Sequence, residues 1–173
     1  MTTDGKAISP AGRHARLFNS TLEYGFRLLF LLDAANPQQA DLQRLISYDY
    51  LLVHSGDVED GPPSLHPAVP FRGSELLVKR DLVRSGLDLM FARELVEKRL
   101  TEQGIVYRGS QLTRAFLGLL KAPYAENLRW RAQWVIERFG SLTDEALNSF
   151  ISANVGRWGA EFEHLAALRD LEL

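Results

Sequence analysis

Apolar residues recur at helical spacing along the first part of the chain. The stripe that begins at Leu22 continues at i+4, i+7 and i+8, which places these side chains on one face of an amphipathic helix. We predict this helix, central to the core, over Ala15–Ala35. It should end at Asn36-Pro37, because proline disfavours helical geometry in the residue before it. A second helix is predicted over Gln39–Val53, with Gly56 as its stop.

The middle of the chain combines a helical pattern with a strand pattern. A helical stripe runs from Ser74 to Phe91, and Ser85-Gly86 within it predicts a break into two short helices joined by a tight turn. Two β-prone runs then occupy Leu95–Arg108. They flank the short glycine-containing segment Thr101–Gly104, which is typical of a hairpin.

Three further helical patterns complete the chain: 112–120, 123–139 with Gly140 as its stop, and a last one from Ser141 or Thr143. The elements follow the order helix, helix-turn-helix, hairpin, helix. This order predicts a mainly α fold, which is α+β if the hairpin is counted. It is typical of a winged-helix-like domain with extra N- and C-terminal helices. We expect residues 1–14 to be flexible and residues 15–173 to form a single domain.

The segment between the second and third helices has a different composition. Ser55–Gly73 holds four of the seven prolines and three glycines. Because each proline fixes φ, the segment predicts an ordered loop, and a loop this long in a compact domain is usually functional or an interface.

Composition narrows the function classes. The chain has 173 residues, 46% of them apolar, and no cysteine, which excludes disulfides and thiolate metal sites and fits a cytoplasmic location. No stretch reaches the roughly 18 apolar residues that a membrane span needs, so we expect no membrane association. Neither a phosphate-binding Gly-x-x-x-x-Gly-Lys nor a Gly-x-Ser-x-Gly elbow is present.

Basic residues concentrate in the middle of the chain. Residues 72–114 hold nine basic and six acidic side chains, whereas the segments on either side are net acidic. A winged-helix protein that binds DNA would place such basic residues in a DNA groove and against the backbone phosphates. The interspersed carboxylates favour a solvated face or a protein interface instead. The candidate partner or DNA contacts are Arg72, Lys79, Arg80, Arg84, Arg93, Lys98, Arg99 and Arg108.

Two histidines and a carboxylate are the strongest candidates for chemistry. His54, Asp57 and His66 could offer two imidazoles and one carboxylate to Zn²⁺ or Fe²⁺. Their spacing matches no standard metal signature. We therefore favour a structural role, in which these residues form a fixed loop together with the prolines. We expect no metal, cofactor or small-molecule substrate. Asp57 would then bond backbone amides in the turn, and His54 would end a helix. The loop residues are His54, Asp57, Pro62, Pro63, His66 and Pro67.

Buried charge and exposed aromatic residues give two more hypotheses. Asp49 could form a buried or half-buried ion pair with Arg72 or Arg80 across the loop. Tryptophan and arginine are enriched at interface hot spots, so the tryptophans of the last third are candidates for partner contact. The alternative is that one of these tryptophans lies in the hydrophobic core and another packs over it. These residues are Trp130, Trp134 and Trp158.

Four segments resemble a known family. FNSTLEYGFRLL (Phe18–Leu29), YDYLLVHSGD (Tyr48–Asp57), GPPSLHP (Gly61–Pro67) and NVGRWGAEF (Asn154–Phe162) are similar to the type 2 middle component of bacterial ABC three-component systems. The resemblance runs from about Leu17 to Phe162.

The resemblance implies a small non-enzymatic subunit. Such a subunit would bridge an SMC-like or Rad50-like ABC ATPase and a separate effector, in anti-phage or anti-plasmid systems of the Lamassu kind. It implies no catalytic residue and leaves DNA contact within the complex open. A DNA-binding winged-helix regulator and a metal-dependent enzyme that uses His54, Asp57 and His66 remain the alternatives.

Overall fold

A computed structural model describes residues 20–67 and 72–154, the side chains of residues 72–78 excepted. The segment predicted to be flexible (residues 1–14) and Trp158 lie outside the described residues. The expectations for them stay predictions.

The first helix, α1 (Thr21–Ala35), runs through the centre of the protein. Ser20 has extended backbone and its side chain accepts a hydrogen bond from the Glu23 N–H at 3.2 Å, so the helix begins at Thr21 rather than at the predicted Ala15. Its end at Asn36, before a cis Asn36-Pro37 peptide, confirms the predicted stop. Apolar side chains from most sides of this helix are buried, which confirms its central place in the core: Tyr24, Leu28, Leu29, Phe30, Leu31 and Leu32.

The second helix, α2 (Leu42–Val53), follows a two-residue strand, β1 (Ala40–Asp41). Asp41 caps the helix, since its carboxylate accepts from the Arg44 N–H at 2.7 Å. The helix ends at His54, and a short 3₁₀ turn, Ser55–Asp57, leads into the loop.

The third helix, α3 (Arg72–Phe91), is continuous, so the predicted break at Ser85-Gly86 is wrong. Gly86 lies where α3 crosses α1: a Cβ built on it would come within 2.8 Å of the Gly25 backbone nitrogen. The glycine therefore serves a close helix–helix approach and does not interrupt the helix. The predicted helix-turn-helix within residues 74–91 is absent for the same reason.

A hairpin and β1 form a three-stranded antiparallel sheet. The strands β2 (Val96–Thr101) and β3 (Gly104–Gly109) confirm the predicted hairpin, and the sheet order is β1-β3-β2. Ala40 pairs with Tyr107 and Asp41 with Val106. A two-residue strand shows no alternation, which is why the sequence pattern did not predict β1.

Two helices and a helical segment complete the described chain. These are α4 (Gln111–Leu117), α5 (Pro123–Phe139) and residues 144–154. The last begins where predicted, with Thr143 accepting from the Ala146 N–H at 3.2 Å and Leu147 and Ile151 buried. The predicted mainly α fold with a small antiparallel sheet is confirmed. Among the described residues, no helix has the length and hydrophobicity that a bilayer span requires.

The α1–α3 crossing gives a stability prediction. Gly86→Ala should destabilise the protein by about 1–3 kcal/mol, because overpacking against backbone outweighs the gain of about 1 kcal/mol in helix propensity. Urea unfolding measures this change. Ser85→Ala, at the exposed neighbouring position of the same helix, is the control and should not lower stability. A Gly86→Ala protein as stable as the wild type would contradict the close approach.

Candidate partner-binding surfaces and the buried ionic chain

A salt bridge is fully buried between α1 and α2. Arg27 Nε and Nη2 donate to the two carboxylate oxygens of Asp49, at 2.6 and 2.9 Å, and both side chains are 0% exposed. The bidentate geometry satisfies the carboxylate and most of the guanidinium together. The prediction that Asp49 is buried in an ion pair is therefore confirmed, with Arg27 as its partner. Of the two predicted partners, Arg80 is exposed and donates to Gln43 Oε1 at 3.4 Å, so it was wrong, and the Arg72 side chain lies outside the described residues.

Three further side chains extend this pair toward α5 and the loop. Arg27 Nη1 donates to Glu23 Oε1 at 3.2 Å, and the Tyr124 hydroxyl donates to the same oxygen at 3.1 Å. His66 Nε2 lies 3.0 Å from the Tyr124 hydroxyl and 3.4 Å from Glu23 Oε1. We call Asp49, Arg27, Glu23, Tyr124 and His66 the ionic chain.

Burial and charge shift two pKa values in the ionic chain. Burial by itself lowers the pKa of Arg27, but the charge and hydrogen bonds of Asp49 outweigh it, so the pKa of Arg27 is raised. Burial, followed by the charge of Glu23, raises the pKa of Tyr124 to about 12. Arg27 is therefore a permanent cation and Tyr124 a neutral hydrogen-bond donor at physiological pH.

Arginines of α5 hold the proline-rich loop. Arg131 is buried, and its Nε and Nη2 donate to the Pro63 carbonyl at 3.2 and 2.5 Å. Burial lowers the pKa of Arg131. Arg138 Nη2 donates to the Glu59 carbonyl at 3.0 Å. These contacts hold the loop carbonyls against α5, and no local pattern in the sequence marks either arginine as a loop contact.

The loop is also bonded to the end of α2. The amides of Leu65 and His66 both donate to the Val53 carbonyl, at 3.0 and 3.1 Å, and Gly56 N–H donates to Ser64 Oγ at 3.0 Å. Pro62 is buried, whereas Pro63 and Pro67 are exposed. The loop up to Pro67 is thus fixed through its backbone.

The residues considered as metal ligands make other contacts. His54 is the C-cap of α2, as predicted, and its ring centroid lies 6.5 Å from that of His66. Asp57 Oδ2 accepts from the Tyr50 hydroxyl at 3.0 Å. His66 belongs to the ionic chain. Within the part of the chain that the structure describes, no three His, Cys, Asp or Glu side chains converge as metal ligands.

The basic candidates differ in exposure and pairing. Lys79 is only 2% exposed and lies 5.3 Å from the centre of the Tyr50 ring, so its side chain is buried in the free chain. Lys98 pairs with Asp88, and Arg108 with Glu97 at 2.6 Å. The Arg72 side chain is outside the described residues. The remaining candidates are exposed: Arg80, Arg84, Arg93 and Arg99.

The two described tryptophans differ in exposure. Trp134 is partly buried, edge-on to Phe139 with ring centroids 5.8 Å apart. Trp130 is 55% exposed and lines a groove of about 340 Å³ between α1 and α5, together with Phe30 and Arg129. The Arg131 guanidinium lies 5.4 Å from the Trp130 ring centre, within the range of a cation–π contact.

The ionic chain gives a second stability prediction. Asp49→Asn should lower the free energy of unfolding by about 3–5 kcal/mol, because it leaves the Arg27 charge buried without its main counter-ion. Asp144→Asn is the matched control: Asp144 also pairs with an arginine (Arg44, 2.8 Å) but is 61% exposed, so its loss should cost less than about 1 kcal/mol. Equal losses in chemical denaturation would contradict the dominant role of the buried pair.

Comparison with known proteins identifies the family. No curated protein and no solved structure is significantly similar to this chain. The family model described as ABC-three component (ABC-3C) system Middle Component 2 matches residues 17–161, which is most of the sequence. The match includes α1, the proline-rich loop, the hairpin and α5. The chain belongs to the Middle Component 2 family of ABC-three component systems.

Proposed function

We propose that this protein is a non-enzymatic adapter that bridges an SMC-like or Rad50-like ABC ATPase and a separate effector, in a Lamassu-like defence system of the bacterial cytoplasm. Membership of a middle-component family supports partnership with the other components of such a system. The ATPase type, the effector and the anti-phage role are parts of the proposal.

The use of the polar side chains supports an adapter rather than an enzyme. The carboxylates of Asp49 and Glu23, and the phenol of Tyr124, contact one another or Arg27 within the ionic chain. A general acid or base needs a group that can reach a substrate proton. In this protein these groups instead join α1, α2, α5 and the loop.

The observation that carries the proposal is the exposed Trp130. A tryptophan on a rigid helix, next to a groove and flanked by Arg129 and Arg131, loses little conformational entropy when a partner covers it. Buried tryptophan and arginine contacts dominate the binding energy of many interfaces. We therefore place one partner contact on the α1–α5 groove.

The element order supports a winged-helix-like arrangement within the proposal. Helix α1, strand β1, helices α2 and α3, and the β2–β3 hairpin follow one another as in winged-helix domains. The helix pair is then α2 and α3, joined by the proline-rich loop, rather than two halves of α3. A buried Lys79 and paired Lys98 and Arg108 favour protein contact over phosphate contact.

Trp130→Ala is expected to weaken assembly at least tenfold, because it removes a contact of the hot-spot type. The measurement is co-purification of the tagged chain with the ATPase and effector encoded beside it, followed by titration of the purified components. Leu119→Ala removes a more exposed apolar side chain (77%, against 55% for Trp130) outside the groove and should leave assembly intact. Arg84→Glu, on the exposed face of α3, should also weaken assembly.

Two outcomes would contradict the adapter proposal. One is a Trp130→Ala chain and an Arg84→Glu chain that both assemble as well as the wild type. The other is duplex DNA binding by the isolated chain at physiological salt that falls steeply as salt rises, which is the behaviour of a DNA-binding regulator.

A further inference from the structure

The outer edge of β2 pairs with no other strand of the described residues. In the sheet order β1-β3-β2, β2 has a neighbour on one side only among the described residues. Ser110 N–H donates to the Leu95 carbonyl at 3.2 Å, so Leu95 and Ser110 are a hydrogen-bonded pair and every second pair along the hairpin is one too. The N–H and C=O groups of Val96, Lys98 and Leu100 therefore point away from β3; Lys98 and Leu100 are accessible there, whereas Val96 is only 2% exposed.

Two of the features by which proteins prevent edge-to-edge pairing, a proline and a β-bulge, are absent from β2. Strand β2 contains no proline, and its pairing with β3 is one-to-one from Val96 to Thr101, so it has no bulge. Its one lysine, Lys98, is ion-paired with Asp88 and lies 4.6 Å from the Phe91 ring centre. That charge is directed to α3 and does not guard the edge.

We propose that the edge of β2 binds the same edge of a second copy of this chain, antiparallel, about a two-fold axis at Lys98. In this register Glu97 of each copy lies opposite Arg99 of the other, which gives two cross-strand ion pairs. The two neighbouring registers that keep the hydrogen bonds would instead place Glu97 opposite Glu97 or Arg99 opposite Arg99. Charge complementarity thus selects one register.

The shape of the hairpin fits the same register. Leu100, 85% exposed, projects at the tip of β2. Val96 lines a cleft of about 690 Å³, together with Phe91 and Leu112, whose side chains are also exposed. Leu100 of the second copy lies opposite Val96 and on the same face of the sheet, so it enters this cleft. Each copy then covers apolar side chains of the other copy that are exposed in the single chain.

The charges at the axis are compatible with this pairing. The two Lys98 residues face each other, but each ammonium is neutralised by its own Asp88. Glu97 also binds Arg108 of its own chain at 2.6 Å, and a carboxylate can accept hydrogen bonds from two arginines. The interface does not use Trp130, so it is independent of the adapter proposal.

Oligomeric state and charge reversal test the interface. The purified wild-type chain, measured by light scattering after gel filtration at its highest soluble concentration, should have twice the chain mass of 19.5 kDa. Arg99→Glu and Glu97→Arg should each be monomeric, because each places like charges opposite one another twice. A one-to-one mixture of these two variants should return to the double mass, because both cross-strand pairs become attractive again.

Arg84→Glu is the control for charge, since it makes the same charge change on α3 away from β2, and it should remain dimeric. A monomeric wild type, a dimeric Arg99→Glu chain, or a mixture that stays monomeric would each overturn the proposal. Because Arg84→Glu is expected to weaken assembly with the other components but not dimerisation, the two proposals fail separately.

A disulfide test covers the case in which Glu97→Arg disturbs Arg108 and the fold. The chain has no cysteine, so Lys98→Cys introduces the only thiol. Opposed Cα atoms at a hydrogen-bonded pair are about 5.5 Å apart, within disulfide range. Oxidised Lys98→Cys should run as a cross-linked dimer, whereas Thr101→Cys, far from its own copy in this register, should not. No cross-link at Lys98→Cys would overturn the register.

Discussion

The buried pair of Arg27 and Asp49 is the interaction on which the rest of the structure depends. Both groups lie between α1 and α2 with no exposed surface, so each needs the other to offset its lost hydration. The bidentate contact needs the guanidinium and the carboxylate edge to edge, so it favours one placement of α1 against α2. The rest of the ionic chain connects this pair to α5 and to the loop through the hydrogen bonds of Glu23, Tyr124 and His66.

The same interactions explain why residues that suggest catalysis have structural contacts. Tyrosine, histidine and carboxylate side chains occur together in the ionic chain, but each contacts another protein group at hydrogen-bond distance. Arg131 and Arg138 add contacts from α5 to the loop carbonyls. A loop that is held along its backbone presents a fixed surface, which is what a subunit that works by binding requires.

The two proposals place partner contacts on two surfaces of the described residues, and these surfaces lie on different elements. The α1–α5 groove presents Trp130, and the hairpin presents the outer edge of β2 with Leu100 at its tip. The first is a side-chain surface, suited to a partner with an apolar projection. The second offers main-chain hydrogen bonds in one register. A middle component that uses both could pair with itself and still contact the other components of the system.

Most of the helices, the hairpin and the family were predictable from the sequence alone. Apolar periodicity, Asn36-Pro37 and Gly140 are local signals, and they placed the elements because helix and strand formation depends mainly on neighbouring residues. Local signals failed where the cause was distant in sequence. Gly86 resembles a helix break until Gly25 is seen against it, and Asp49 indicates an ion pair without naming Arg27.

The packing of the fold sets which polar groups are buried or ion-paired and which stay exposed. The packing of the helices determines that Lys79 is buried, that Lys98 pairs with Asp88 and that Trp130 is exposed. This packing brings together residues that are far apart along the chain. The position of β2 at the edge of the sheet follows from sheet order, which a two-residue β1 sets without a sequence signal. Pairwise contacts across such distances leave no periodic trace in one sequence, so the surfaces had to come from the fold.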